Sequence, residues 1–183
     1  MSTHIALFRG MNVGGHGVVR MKDLAAAFVA AGCGEVRTYI QSGNVIFELA
    51  DARLAAMRKR LQPALDELMG REALALWRTH ADLAALVARA PFAKVEQEAG
   101  AKLYVSFLAA EPARKPRLPL AFAKDGVEWI GLRGLDACCV SRPVKGKYGF
   151  PNALIEKALA VQATTRNWSV VRALAERSAP GGG

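Results

Sequence analysis

The chain has 183 residues, 52% of them hydrophobic, and a formal charge of +9 at pH 7. This size suits one compact unit or two small subdomains sharing a core. No stretch reaches the roughly 18 uninterrupted apolar residues of a membrane helix, and the opening MSTHIALFRG lacks the charged and apolar regions of a signal peptide. The three cysteines, Cys33, Cys138 and Cys139, have no Cys-x-x-Cys spacing, which argues against a disulfide framework or a zinc ribbon. A cytoplasmic protein with reduced thiols, away from membranes, is expected.

The apolar run HIALFR reads as a buried first strand. The glycine segment RGMNVGGHGVVRM follows it. Met21, Leu24, Ala25 and Phe28 then fall on one face of a helix, which Gly32 and Gly34 end. VRTYI and VIFEL flank QSGN, a hairpin pattern with glycine at the turn. Leu54, Met57, Leu61, Leu65 and Leu68 mark a second helix, and Pro63 is expected to kink or split it. ALALW reads as a strand. The order is β-α-β-β-α-β, the ferredoxin-like pattern.

Thr79-x-x-Asp82 has the form of a capping box and opens a helix that ends near Pro91. KLYVSFL reads as a strand. Residues 111–121, with prolines at 112, 116 and 119, form a short helix at best. GVEWIGLRGLDACCV reads as two strands joined near Arg133 and Gly134. NALIEKALA and WSVVRALAER read as helices. The expected fold class is α+β, two ferredoxin-like (βαββαβ-type) subdomains packed together. Residues 1–78 make the first, 79–178 the second, and 179–183 a disordered tail.

Charge is uneven. Residues 1–90 carry +3 and residues 91–183 carry +6. Between 142 and 172, Arg142, Lys145, Lys147, Lys157, Arg166 and Arg172 stand against Glu156 alone. Such a bias favours polyanionic partners, although it also serves solubility.

Four segments carry polar groups able to do chemistry. Gly10 and Gly15 have Walker spacing, but His16 and Gly17 occupy the Lys and Ser/Thr positions. Gly15-x-Gly17 is followed by Arg20 where a dinucleotide fingerprint needs glycine. Backbone N–H groups at Gly14 and Gly15, helped by Arg9 or Arg20, could still hold an anion at a helix start; the competing reading is a tight turn. In QSGN, Ser42 lies outside any nucleophile elbow, so a hairpin turn is the stronger reading, while Gln41 and Asn44 could read a ligand edge. In TTRNWSV, Arg166 could grip a phosphate, Asn167 could both donate and accept, and Trp168 could stack on a base or face the core. KGKYGF partly matches an RNA-binding strand, but its register fails at Lys147 and Pro151, so a basic loop before a helix is expected. His4, His16 and His80 show no metal-ligand spacing, and Cys138 and Cys139 sit in an apolar run as small hydrophobes. No metal site and no cofactor is expected.

Three segments in one order, ALFRGMNVGG with RTYIQSGNVIF and then TTRNW, resemble the family called domain of unknown function 1697. APF at 90–92 and NALIEKAL at 152–159 extend the likeness over the whole chain. The resemblance implies a two-part α+β protein with ferredoxin-like character. Its signature polar positions are Arg9, Asn12, Gly14, Gly15, Gln41, Ser42, Gly43, Asn44, Arg166, Asn167 and Trp168. The chain departs from the family at Ser169-Val170 and at Lys147-Tyr148-Gly149-Phe150.

The expected function is a binding module for a phosphate-bearing ligand, a nucleotide or nucleic acid, acting as a monomer. The expected ligand-binding residues are Arg9, Asn12, Gly14, Gly15, Gln41, Asn44, Arg166, Asn167 and Trp168. The alternative is a small-molecule enzyme with a site between the two subdomains. A third reading is a scaffold that uses the hairpin.

Overall fold

The computed structural model describes residues 1–12, 18–95 and 98–179. The expectations for Gly14, Gly15 and residues 180–183 lie outside the described residues. The protein is a mixed α+β structure, with two antiparallel sheets and five α-helices among the described residues. It forms two compact units, one of Met1–Ala84 with the chain from Leu174, the other of Ala85–Ala173.

In the first unit the elements are β1 (Ser2–Phe8), α1 (Met21–Ala30), β2 (Gly34–Thr38), β3 (Asn44–Leu49), a 3-10 turn at Asp51–Arg53, α2 (Leu54–Met69) and β4 (Ala75–Thr79). Helix α3 (His80–Ala88) begins here. The sheet order is β2-β3-β1-β4. Strand β1 lies between β3 and β4, and its apolar second half suits that place: Ile5, Ala6, Leu7 and Phe8 are all fully buried. Ala6 and Phe8 join Leu24 and Phe28 of α1 and Met57, Leu61 and Leu65 of α2 in one core. Phe28 packs on Phe47 with ring centroids 5.2 Å apart.

Helix α2 runs unbroken through Pro63 instead of splitting there. Pro63 lies on the exposed side, between the buried Leu61 and Leu65. An interior proline costs about 3 kcal/mol. Each fully buried Met or Leu contributes about 1.5–3 kcal/mol, so the three buried residues of α2 outweigh it.

The capping box is formed at the head of α3. Asp82 N–H donates to Thr79 Oγ1 at 3.1 Å, and Thr79 N–H donates to Asp82 Oδ2 at 2.8 Å. At the other end of the chain, Ala179 N–H donates to Glu176 O at 3.2 Å.

In the second unit the elements are β5 (Lys102–Leu108), β6 (Leu120–Phe122), a 3-10 turn at Ala123–Asp125, β7 (Val127–Arg133), β8 (Asp136–Ser141), α4 (Pro151–Leu159) and β9 (Ala163–Asn167). Helix α5 (Trp168–Arg177) starts here. The sheet order is β6-β7-β8-β5-β9. Trp129, Cys139, Tyr104 and Leu108 pack with Ile155 and Leu159 of α4. The β7–β8 hairpin turns at Gly134, φ 55°, as its sequence indicates. Two strands differ from expectation. Residues 111–119 hold no helix, and β6 follows them; three prolines remove backbone donors and bias their predecessors to extended backbone. ATTRN, given no element by the sequence pattern, is strand β9. Its β-branched threonines suit a pleated surface, and it pairs along β5 with Val105 opposite Arg166.

No helix among the described residues is long and apolar enough to cross a membrane.

Candidate functional site

The structure brings the first two signature segments together in the first unit. Phe8 N–H donates to Gly43 O at 2.9 Å. Gly43 has φ +76°, and a Cβ there would meet Met11 Sδ at 2.7 Å and Phe8 Cβ at 2.9 Å. Asn12, at φ 55°, donates from Nδ2 to Gln41 O at 2.9 Å and to Val19 O at 3.1 Å, while its Oδ1 accepts from Val19 N–H at 2.8 Å. Asn44 is fully buried and donates to Tyr39 O at 2.9 Å and Ser42 Oγ at 3.2 Å. Arg9 is half-buried, and its carbonyl accepts from Arg71 Nη2 at 3.2 Å. The Gln41 side chain belongs to an exposed residue. The two asparagine amides are thus engaged within their own unit, mostly by backbone.

The third segment lies in the second unit. Arg166 is buried, and its Nη1 donates to Thr164 Oγ1 at 2.8 Å and Thr165 O at 3.0 Å. Burial lowers its pKa to about 10, so it stays charged at neutral pH. Trp168 is buried, with its ring edge-on to Phe92 at 5.1 Å. Asn167, between them, is exposed. Ala163 to Arg166 are all buried along β9, and Asn167 closes the strand opposite Tyr104.

Asn167 and Trp168 line an open pocket of about 400 Å³ with Lys102, Leu103, Tyr104, Ser169 and Arg172. Among the described residues the lining holds two cations and no carboxylate. Tyr104 is edge-on to Phe150 at 5.5 Å, and Phe150 is 56% exposed. Lys102 Nζ stands 3.9 Å above the Tyr148 ring, whose hydroxyl donates to Gly100 O at 2.7 Å. Lys102, Tyr104, Phe150 and Arg172 are absent from the residues expected to bind. The alternation of KLYVSFL, which puts Lys102 and Tyr104 on one face, is the signal that could have found two of them.

A second pocket, of about 270 Å³, is lined by Arg89, Asp136 and Cys138 among others. Burial and the Asp136 charge push the Cys138 thiol up to about 12, which keeps it protonated and a poor nucleophile at neutral pH. Among the described residues, no three His, Cys, Asp or Glu side chains stand close enough to hold a metal ion.

Comparison with known proteins agrees with this architecture. The structure of conserved bacterial protein SP0830 from Streptococcus pneumoniae is similar over 98% of this chain and 99% of that one, with a TM-score of 0.64 and 16% sequence identity. At that identity the likeness concerns the fold alone. No curated protein matches. The family described as protein of unknown function (DUF1697) matches residues 1–134, a span that includes the glycine segment and QSGN and ends before TTRNW. With that match covering most of its length, the chain belongs to the DUF1697 family.

Proposed function

We propose that this protein is a non-enzymatic module that binds a phosphate-bearing ligand, a nucleotide or a nucleic acid, in the pocket at the β9–α5 junction. The observation that carries this reading is the placing of Lys102 and Arg172 in one lining that holds no carboxylate among the described residues. Two cations on one lining favour an anion. Asn167 supplies a donor and an acceptor at the rim, and the first peptides of α5 add partial positive charge. Charge supports the choice of unit. Residues 85–173 hold fourteen Lys and Arg against seven Asp and Glu, most of the chain's excess.

The proposed roles then divide. Asn167 contacts the ligand. Arg166 and Trp168 anchor the strand end and the helix start from within. Asn12 and Asn44 shape the loops of the first unit. Anion contacts by Arg9, Gln41 and the Gly14 and Gly15 backbone remain a proposal from sequence. The protein is proposed to act as a cytoplasmic monomer.

The ferredoxin-like character also belongs to this proposal. The first unit has the β-α-β-β-α-β order with sheet order β2-β3-β1-β4. In the second, β7-β8-β5-β9 repeats those neighbour relations, with the proline-rich segment in place of the first crossover helix.

Fluorescence anisotropy with labelled nucleotide and oligonucleotide, at about 50 and about 200 mM salt, tests the function. Affinity should fall steeply with salt, and Lys102→Ala with Arg172→Ala should weaken binding by about tenfold or more. Absence of binding to either probe at the lower salt overturns it.

A further inference from the structure

Building on that reading, we propose that the ligand is a single-stranded nucleic acid, laid from the β9–α5 pocket across Phe150 and Tyr148 to a lysine-lined pocket formed by the basic turn at 144–149.

The turn is preorganised. Val144 and Lys147 exchange backbone hydrogen bonds of 2.8 and 3.0 Å around Lys145 and Gly146, at φ 51° and 76°. Two left-handed residues give a two-residue hairpin turn, which fixes the spacing of the flanking lysines. Behind it, Gly149 lies against the backbone of Asp125, where a Cβ would come within 2.2 Å of the carbonyl oxygen. Ser141 Oγ donates to Gly149 O at 2.8 Å. Arg142, at the foot of the turn, is neutralised: it donates to both Glu98 oxygens, at 2.6 and 2.8 Å, and to Glu128 Oε2 at 2.8 Å.

The lysines are not neutralised. Lys124, Lys145 and Lys147 surround a pocket of about 570 Å³ whose lining includes one carboxylate, Asp125. None of the three makes an ion pair with a described residue, and all three are exposed. Tyr148 lines this pocket while Lys102, over its ring, lines the first. Phe150 rests edge-on against Tyr104 of the first pocket and is 56% exposed. Two cationic pockets are therefore joined by aromatic side chains. One nucleotide fills one pocket; a strand with phosphates at intervals engages both. An exposed ring offers stacking only to an unpaired base, which favours a single strand over a duplex.

The experiment compares a mononucleotide with uridylate and thymidylate oligomers on the order of twelve nucleotides, a length within the range of single-strand sites. The proteins are wild type, Lys145→Ala/Lys147→Ala, Phe150→Ala and Lys102→Ala/Arg172→Ala, each checked for an unchanged unfolding midpoint. One oligomer should bind about tenfold or more tighter than the mononucleotide. The lysine pair substitution should weaken that oligomer about tenfold, lower its salt slope by about 1.4, and leave the mononucleotide unchanged. Phe150→Ala should weaken it by a similar factor. Equal affinity for mononucleotide and oligomers, or an oligomer indifferent to the lysine pair, overturns the strand path while the β9–α5 pocket reading survives. A duplex bound as tightly as the single strand overturns it too. Absence of binding to every probe overturns both readings.

Discussion

The side-chain amide of Asn12 pairs with the peptide of Val19 as a strand residue would: Oδ1 accepts from Val19 N–H at 2.8 Å and Nδ2 donates to Val19 O at 3.1 Å. The same Nδ2 reaches Gln41 O at 2.9 Å. One side chain thus connects the end of the first strand, the approach to the first helix and the hairpin loop. Asparagine also tolerates the left-handed backbone found here.

Asn12→Ala should therefore cost about 2–3 kcal/mol, since its three hydrogen bonds, two of them partly buried, contribute about 0.5–1.5 kcal/mol each and alanine is strained at positive φ. Asn12→Asp keeps the acceptor for Val19 N–H and loses both donations, so it should also destabilise. Urea unfolding of the two variants checks this. Stability within about 0.5 kcal/mol of wild type for both would show that these bonds do not hold the loops.

The first unit was legible because its signals are local and agree. The apolar run of β1, the 3.6-residue stripes of α1 and α2 and the glycine turn before β3 each point to the observed element. The second unit was harder to read because pairing overrides propensity there. ATTRN has five residues and meets a strong helical stripe at Trp168, so its strand character depends on β5 lying alongside. The site was half legible for the same reason. TTRNW marks the right junction, but Lys102 and Tyr104 come from a strand far away in sequence, and only the register that sets Tyr104 opposite Asn167 brings them together. Asn12 and Asn44 show the limit of reading polar residues as ligand contacts. Sequence reveals the amide, and the structure reveals that the backbone already uses it.

Glycine substitutions around the basic turn should separate packing from strain. At Gly126, φ +66°, a Cβ would come within 2.1 Å of Arg142 O, and at Gly149 within 2.2 Å of Asp125 O. Both neighbours are backbone, so neither can swing aside. Gly126→Ala and Gly149→Ala should each cost about 2 kcal/mol or more. At Gly146, φ +76°, nothing lies within 4 Å. Gly146→Ala should cost about 1 kcal/mol from backbone strain alone. Thermal unfolding of the three variants reads the order directly, and equal effects at all three sites would refute the packing explanation.

Pro63 gives a prediction of opposite sign. It sits on the exposed side of α2, and the helix continues past it to Met69. Pro63→Ala restores a backbone donor and removes the ring, so it should stabilise the protein by up to about 3 kcal/mol. A neutral or lower unfolding midpoint would mean that proline's restriction of the unfolded chain matters more here than the missing bond.

Alkaline pH should weaken the fold through its buried thiols. Burial and Asp136 push Cys138 up to about 12, and burial raises Cys139 further. Burial raises Cys33 as well, against the pull of Arg60 and Arg53. A folded pKa above the unfolded value means that the native state holds its proton longer. This stability is fully present below the unfolded thiol pKa, near 9, and is lost as pH rises from there toward about 12. Cys138 and Cys139 each lower stability by up to about 1.4 kcal/mol per pH unit in that window. Arg166 acts in the opposite direction, because its folded pKa is lowered to about 10 from 12.5, but only above about pH 10. Between pH 9 and pH 10 the thiols should therefore dominate, and the urea midpoint should fall across that interval after holding steady from pH 7 to pH 8. Cys138→Ala/Cys139→Ala, compared with its own midpoint at pH 7, should flatten the fall, and the native thiols should resist an aromatic disulfide reagent at pH 8 until urea unfolds the protein. A wild-type midpoint that stays constant up to pH 10, or a double variant that falls as steeply as wild type, would remove the thiols as the cause.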